Sequence, residues 1–199
     1  MKLLLPVLFF LSFITLDAQD NMNDEAPYAE IGTYPSDNNA NGILCRLIDG
    51  LGYRLHWASH DLDELDQNFK YEGEGNRSIR ETMEHISDLS RGILAFAKSE
   101  PMTRGISYDS LSFEEIRVQS LSNLKQASDI ISSISEQELF EHKIIFKRGD
   151  QTREFELWHI INGQISDAIY HVGQIVALRR ANGNPMSSKV SVFMGKNRE

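Results

Sequence analysis

The stretch that decides the fold class reads ILCRLIDGLGYRLHWASHDLDELDQNF and occupies residues 43–69. Its apolar side chains recur every three or four positions, which is the spacing that places them on one face of a helix. They are Ile43, Leu44, Leu47, Ile48, Leu51, Leu55, Ala58, Leu62 and Leu65. The pattern predicts an amphipathic helix that buries this face in a hydrophobic core.

Two more helices are predicted downstream, and each begins with a capping box. In this motif a serine at the N-cap and a glutamate three residues later satisfy each other's free backbone N–H groups. Ser78 and Glu81 open the second helix, and Ser112 and Glu115 open the third. The apolar positions that follow are Met83, Ile86, Leu89, Ile93 and Leu94 in the second helix and Phe113, Ile116, Leu121, Leu124, Ile130, Ile131 and Ile134 in the third.

A fourth helix is predicted over about residues 156–181, because Asn182-Gly183 and then Pro185 form the usual end of a helix. Four long amphipathic helices of similar length predict an all-α fold, and a four-helix bundle is the simplest arrangement. An irregular helical array is the alternative.

A small hairpin is expected just before this last helix. Residues 142–147 and 151–155 are short extended runs on either side of Arg148-Gly149-Asp150. An Arg-Gly-Asp tripeptide can serve in adhesion, but its position between two strands favours a simple turn.

The first 19 residues have the composition of a secretory signal peptide. Lys2 supplies a positive start, residues 3–16 are almost wholly apolar, and the chain turns polar at Asp17. A membrane-spanning helix needs about 20 apolar residues, so this run is short for a span. We therefore expect export to the periplasm or the cell exterior, with a retained membrane anchor as the alternative.

The rest of the chain divides into three parts. Residues 20–42 are rich in Asn, Asp, Pro and Gly and have no apolar period, which predicts a flexible lead-in. Residues 43–185 hold the four predicted helices and form the expected domain. Residues 186–199 are a C-terminal tail.

The charge of the chain argues against two classes of partner. The formal net charge is −9 at pH 7. Nucleic-acid binders need a basic surface, and anionic membranes repel an acidic one. We therefore expect neither nucleic acid nor, after signal cleavage, a membrane as partner. Cys45 is the only cysteine of the chain, which excludes an intramolecular disulfide. A buried structural thiol is its expected role, and a nucleophile is the alternative.

Three residues have the chemistry and spacing of metal ligands. Asp167 and His171 lie four residues apart in the last helix, so their side chains share one face. A carboxylate oxygen and an imidazole nitrogen together suit zinc and other divalent first-row metals. His85, on the apolar side of the second helix, is the candidate for a third ligand. For each histidine, a core position held by a hydrogen bond is the alternative.

His56 and His60 form a second pair at the same spacing on the first helix. Polar and aromatic residues are interleaved with them, which favours a partly exposed structural face over metal ligands. His142 and His159 are expected to be structural or to face a substrate.

A few side chains of the last helix are candidates for contacting a substrate. They are Tyr170, Gln174, Arg179 and Arg180. The ordinary alternatives are a packed aromatic ring for Tyr170 and, for the arginines, solvated side chains that complement the helix dipole.

Residues 157–175, LWHIINGQISDAIYHVGQI, resemble the last helix of DinB-like proteins, the DinB/YfiT superfamily of metal-binding four-helix bundles. The signature there is a ligand, three residues and then His-x-Gly-Gln. Residues 78–86, SIRETMEHI, are similar to the segment that carries the first histidine ligand, and 178–185 end the helix as in the family. The resemblance extends over about residues 43–185.

The resemblance implies a metal site made by His85, Asp167 and His171. It differs from the usual site of three histidines, because Asp167 stands where the middle histidine is expected. Aspartate is a competent ligand, so the site holds two histidines and one carboxylate. Alternatively, Asp167 only orients His171 and the site is weakened or lost. Zinc is the expected ion, with nickel, iron or manganese as alternatives.

The resemblance also implies an enzyme, a metal-dependent hydrolase or a thiol-dependent transferase with a metal-bound hydroxide or thiolate as nucleophile. The substrate is then a small molecule, and a low-molecular-weight thiol is one candidate. Predicted export favours hydrolysis, because thiol cofactors are normally cytoplasmic. The alternatives are a non-enzymatic binding module and a metal-sequestering protein closed by His56 or His60. Whether the protein forms a homodimer is left open.

Overall fold

The computed structural model describes residues 26–33, 38–103 and 105–199. The predicted signal peptide therefore lies outside the described residues. The described part is mostly helical with a few short strands. Its α-helices are α1 (Ala40–Ser59), α2 (Glu64–Asn68), α3 (Ile79–Ala97), α4 (Phe113–Ser133), α5 (Glu136–Glu141), α6 (Trp158–Ile160) and α7 (Ser166–Ala181).

The prediction of one helix over residues 43–69 is wrong at its C-terminal part. α1 ends at Ser59, and the backbone of Asp61 adopts a left-handed conformation with φ of 56°. A new helix, α2, then begins behind Asp63, whose side chain accepts a hydrogen bond from the backbone N–H of Asp66. The apolar spacing continues across the break, so the periodicity alone does not reveal it.

The reason for the break lies far away in the sequence. The last carbonyl groups of a helix have no partner inside that helix. Here the buried Arg179 guanidinium donates to the carbonyl oxygens of Trp57, Ala58 and His60 at 3.0, 3.0 and 3.1 Å. This side chain from α7 therefore stabilises the end of α1.

Both predicted capping boxes are confirmed. The backbone N–H of Ser78 donates to Glu81 Oε2 at 2.7 Å, and the backbone N–H of Glu81 donates to Ser78 Oγ at 3.1 Å. Ser112 and Glu115 make the same reciprocal pair at the start of α4. α3 and α4 therefore begin where the motif predicts.

The last predicted helix is present but irregular. Between α6 and α7, residues Ile161–Ile165 form a π-helical turn, which holds one more residue than an α-helical turn. The backbone N–H of Ser166 accordingly bonds to the carbonyl oxygen of Ile161, five residues back. Inside this turn, the Gln164 amide donates to the sulfur of Met102 at 3.5 Å.

The predicted hairpin is confirmed. β2 (Ile144–Arg148) pairs antiparallel with β3 (Gln151–Phe155), and Gly149 in the turn has a positive φ of 59°. A short strand that the sequence pattern did not predict, β1 (Pro101–Met102), lies parallel to β2. In the tail, β4 (Val190–Ser191) and β5 (Lys196–Asn197) form a second small hairpin.

The core lies between the long helices. α1 packs on α4 and α7, and α3 packs on the same two helices. The largest side chains that are fully buried are Tyr53, Phe96, Ile48, Leu51, Leu55, Ile79, Met83, Ile86, Ile93, Ile116, Leu121 and Leu124. Among the described residues, no helix has the length and apolar content that a membrane crossing requires.

Part of the predicted lead-in is attached to α1. The Tyr28 hydroxyl donates to Asp49 Oδ1 at 3.0 Å, and its ring is buried. The Trp57 indole N–H donates to the carbonyl oxygen of Ala29 at 3.0 Å. Composition alone did not predict these contacts, because they depend on side chains of α1.

Candidate metal centre

Three side chains from two helices converge where α3 packs against α7. His85 comes from α3, and Asp167 and His171 come from the face of α7 that packs against it. Each residue offers one ligand atom, and these atoms all lie within 4.8 Å of one another. In the described part of the chain, this is the one group of three or more His, Cys, Asp or Glu residues with that property.

The Asp167 carboxylate lies between the two imidazole rings. Its Oδ2 is 3.3 Å from Nε2 of His85, and its Oδ1 is 3.3 Å from Nε2 of His171. The ring centroids of the two histidines are 4.5 Å apart, and the ring planes are nearly perpendicular at 89°. The ligand atoms of all three residues therefore point toward a common volume.

Gln174 determines which nitrogen of His171 faces this volume. Its Oε1 lies 2.7 Å from Nδ1 of His171. An amide oxygen can only accept, so Nδ1 carries the proton and donates it to Gln174. The lone pair of the neutral ring is then on Nε2, which faces Asp167. Metal-binding histidines are commonly oriented by a hydrogen bond of this kind.

Consequently, two hydrogen-bond acceptors face each other across 3.3 Å. When the ring is neutral and carries its proton on Nδ1, Nε2 of His171 has no proton to donate to the Asp167 carboxylate. Such a pair is stabilised only by a positive charge, which is either a second proton on the ring or a cation between the two atoms. The His85–Asp167–His171 group could therefore hold a cation.

The electrostatics of His85 favour the neutral ring. Burial is the main cause that lowers its pKa, and the charges of His171 and Arg77 lower it further. The hydrogen bond and the charge of Asp167 act in the opposite direction but do not outweigh them. His85 is therefore neutral at pH 7, which is the form that binds a metal.

The centre is open on one side. The His171 side chain is 9% exposed, whereas those of His85 and Asp167 are 30% and 43% exposed. A cavity of about 340 Å³ adjoins the centre and is lined in part by His171 and Gln174. Small molecules therefore have access to the ligand atoms.

The other histidine pair does not join the centre. Nδ1 of the buried His56 is 2.9 Å from the carbonyl oxygen of Pro27, which ties it to the lead-in. Its ring stacks on His60 at 5.9 Å. Neither residue belongs to the cluster of ligand atoms. A fourth ligand from His56 or His60, as a metal-sequestering protein would need, is absent from this cluster.

The remaining candidates have structural surroundings. His142 packs edge-on against Phe96, and His159 packs against Phe155. The buried Cys45 thiol donates to the carbonyl oxygen of Ser128 at 3.3 Å, and burial raises its pKa. A raised pKa keeps the thiol protonated, so Cys45 fits the structural role rather than that of a nucleophile.

The candidate substrate-facing residues of α7 have different positions. Tyr170 is exposed, and its ring lies 5.3 Å from that of His171. Arg179 is buried and bonds to the end of α1, so it neither faces a substrate nor lies in solvent. Arg180 is exposed. Gln174 lies at the centre, but its observed contact is with His171.

Sequence reasoning did not identify the residues that form the far wall of the cavity. Tyr71, Asn76 and Arg77 come from the loop between α2 and α3, and they line the cavity together with α7. The one signal in the sequence was that Arg77 directly precedes the N-cap Ser78 of the helix that carries His85. That signal does not show that the loop between α2 and α3 lies opposite α7.

The chain was also compared with known proteins. No protein-family model matches it. No curated protein matches it either. What supports a metal centre is therefore the geometry of His85, Asp167 and His171 in this chain.

Proposed function

We propose that the protein binds one divalent metal ion through His85, Asp167 and His171, and that it is a metal-dependent enzyme. The observation that carries the proposal is the pair of acceptors held face to face, Nε2 of His171 and Oδ1 of Asp167, with the ring proton held on the opposite side by Gln174. Zinc is the first expectation for two nitrogens and one carboxylate. Nickel, iron and manganese accept the same ligands.

We also propose that the chain adopts the fold of a DinB-like four-helix bundle. Its support is the packing of the four long helices, in which α1, α4, α3 and α7 each contact the next and α7 returns to α1. In bundles of this kind, metal sites are built from side chains on facing helices. The ligands here come from two such helices, α3 and α7.

The reaction class follows from the number of ligands. Three protein ligands leave a coordination position open, as in catalytic zinc sites. When bound, a divalent metal would act as a Lewis acid that activates a water molecule or a thiol. Predicted export favours hydrolysis of a small molecule, and thiol-dependent transfer is the alternative. In either case His85, Asp167 and His171 would hold the ion, and Gln174 would orient His171.

One observation favours the competing reading, a binding module without metal. Nε2 of His85 and Oδ2 of Asp167 lie at a distance where a single proton completes a hydrogen bond. If protons occupy both His–Asp contacts, the cluster holds α3 to α7 and needs no ion. The two readings differ in whether the purified protein contains metal.

The test is elemental analysis of the mature protein, before and after chelation and reloading with zinc, nickel, iron or manganese. We expect close to one ion per chain. His85→Ala and His171→Ala should each lose nearly all of it while helicity, measured by circular dichroism, is kept. Gln174→Ala should weaken metal binding by about 10–100-fold, because it removes only the group that orients His171.

His159→Ala is the matched control, because it removes an exposed histidine of the same helical segment that lies against Phe155. Its metal content should equal that of the wild type. Full metal content in both ligand variants would contradict the site. No metal under any loading condition would contradict the proposed function and favour the module without metal.

A further inference from the structure

The cavity beside the centre has two walls of different origin. One wall is α7, which contributes His171, Gln174 and the apolar side chains of Ala177 and Leu178. The other is the loop between α2 and α3, which contributes Tyr71 and Arg77. At about 340 Å³, the cavity is large enough for a small organic molecule. His171 connects it directly to the candidate metal centre.

The lining has an uneven distribution of charge. Of the described residues that line this cavity, Arg77 is the only one with a permanent charge, and none is acidic. The Asn76 side chain adds an amide next to it. In a protein of net charge −9, a cavity lined by a single positive group and no negative one favours an anion over a cation.

Arg77 differs from the next two arginines along the chain. Arg80 is paired with Glu84 at 3.0 Å, and Arg91 is paired with Asp88 at 2.9 Å. Within the described residues, the exposed Arg77 side chain lines the cavity without a hydrogen bond or an ion pair, and its charge acts on Glu81 and His85. Its planar set of donors is therefore available to a ligand, and this geometry matches a carboxylate.

We propose that this cavity binds a substrate with a carboxylate at one end, held by Arg77, and with its reacting group at the His85–Asp167–His171 centre. The apolar body of the substrate lies against Leu178, Ala177 and Tyr71. One permanent positive charge matches a monoanion, which is why a carboxylate fits better than a doubly charged phosphate. This inference rests on the proposed function, because it assigns the reacting group to the metal centre.

The test uses metal-binding probes whose far end is varied. The cobalt(II)-loaded protein is titrated with the monohydroxamates of succinate, adipate and suberate, and binding is followed by the visible absorption of cobalt. Hydroxamates of the same lengths that end in a methyl or an ammonium group are the comparison. At the best length, we expect the carboxylate probe to bind about tenfold more tightly than the methyl probe, and the ammonium probe to bind most weakly.

Arg77→Gln should abolish this preference while cobalt content and helicity stay unchanged. Arg148→Gln, which removes an arginine in the β2–β3 hairpin, should keep it. Equal affinity of carboxylate and methyl probes at every length, or an unchanged preference in Arg77→Gln, would overturn this inference alone. A protein that takes up no cobalt would overturn both this inference and the metal site.

Discussion

The last helix carries a polar cluster at each end, and the carboxylates of the two clusters have different hydrogen-bond partners. The first, the ligand cluster, consists of His85, Asp167 and His171. The second, which we call the capping cluster, consists of Asp66, Arg179, Asn182 and Asn184. Both contain a carboxylate that bridges α7 to another helix, so the difference lies in what surrounds it.

In the capping cluster, each acceptor meets a donor. The Asp66 carboxylate accepts from the side-chain amides of Asn182 and Asn184 at 2.8 and 2.7 Å. Arg179 donates to the backbone and side-chain oxygens of Asn184 as well as to the end of α1. Burial alone would raise the pKa of Asp66, but the hydrogen bonds from Asn184 and Asn182 outweigh it and leave that pKa lowered.

In the ligand cluster, the carboxylate has only ring nitrogens as side-chain partners. Asp167 faces two imidazole rings, and the neighbouring amide of Gln174 accepts from His171 rather than donating to the carboxylate. The comparison gives a way to tell two kinds of polar cluster apart. In the capping cluster amide donors satisfy the carboxylate, whereas in the ligand cluster two imidazole nitrogens, which are also possible metal ligands, face it.

The largest expected effect of a substitution is at the capping cluster. Arg179→Ala leaves three carbonyl oxygens at the end of α1 and the buried Asp66 without their positive partner. We expect the free energy of unfolding to fall by about 3–5 kcal/mol. Urea denaturation followed by circular dichroism measures it. Arg180→Ala, its exposed neighbour, is the control and should change stability by less than about 0.5 kcal/mol.

The two carboxylates should also respond differently to removal of their charge. Asp66→Asn places an amide donor against two other amides, so we expect a loss of about 1–3 kcal/mol at pH 7. Asp167→Asn should cost less than about 1 kcal/mol without metal, because its side chain is 43% exposed, but it should lower metal affinity strongly. Equal losses of stability in the two variants would contradict the conclusion that Asp66 stabilises the fold more than Asp167 does.

The lowered pKa of Asp66 predicts that the stability of the protein depends on pH. Because the folded-state pKa of Asp66 is lowered, its contribution is fully present above the unfolded pKa of about 3.9. It is lost as the pH falls from that value through the folded pKa. Thermal midpoints between pH 6 and pH 2.5 should therefore drop less in Asp66→Asn than in the wild type. A parallel drop in both proteins would show that Asp66 does not contribute.

The smallest effects are expected at two glycines, one near each cluster. Gly183, just after α7, has a φ of +89°, so Gly183→Ala strains the backbone and should cost about 1 kcal/mol. Gly173, two residues after His171, has nothing within 4 Å of the position that a Cβ would take. Gly173→Ala should therefore stabilise the helix by about 0.5–1 kcal/mol and keep the metal content. Thermal unfolding and elemental analysis measure both, and a loss of metal in Gly173→Ala would contradict the prediction.

The parts of the structure that depend on local spacing could be predicted from the sequence. Ser78 with Glu81 and Ser112 with Glu115 mark the starts of α3 and α4, because a capping box involves only neighbouring residues. The four-residue spacing of Asp167 and His171 places both on one helix face, and that face meets α3.

The parts that depend on distant contacts could not be predicted. The break after Ser59 is stabilised by Arg179, whose bond to the carbonyl oxygen of Ala58 spans 121 positions of the chain. The position of Arg77 on the cavity wall depends on the path of a loop that carries no periodic pattern. In both cases, the decisive partner lies on another element.

The π-helical turn at Ile161–Ile165 has a consequence for the rotational phase of the last helix. Each residue of an α-helix advances the chain by about 100° around the axis, so one extra residue offsets the downstream part by that angle. Before the offset, the helical segment packs against the β2–β3 hairpin, where the His159 ring contacts Phe155. After it, Asp167 and His171 face His85. One continuous helical segment can therefore pack against two neighbouring elements that a single apolar face would not contact together. The orientation of Asp167 and His171 toward His85 thus depends on Ile161–Ile165, residues that contribute no ligand atom.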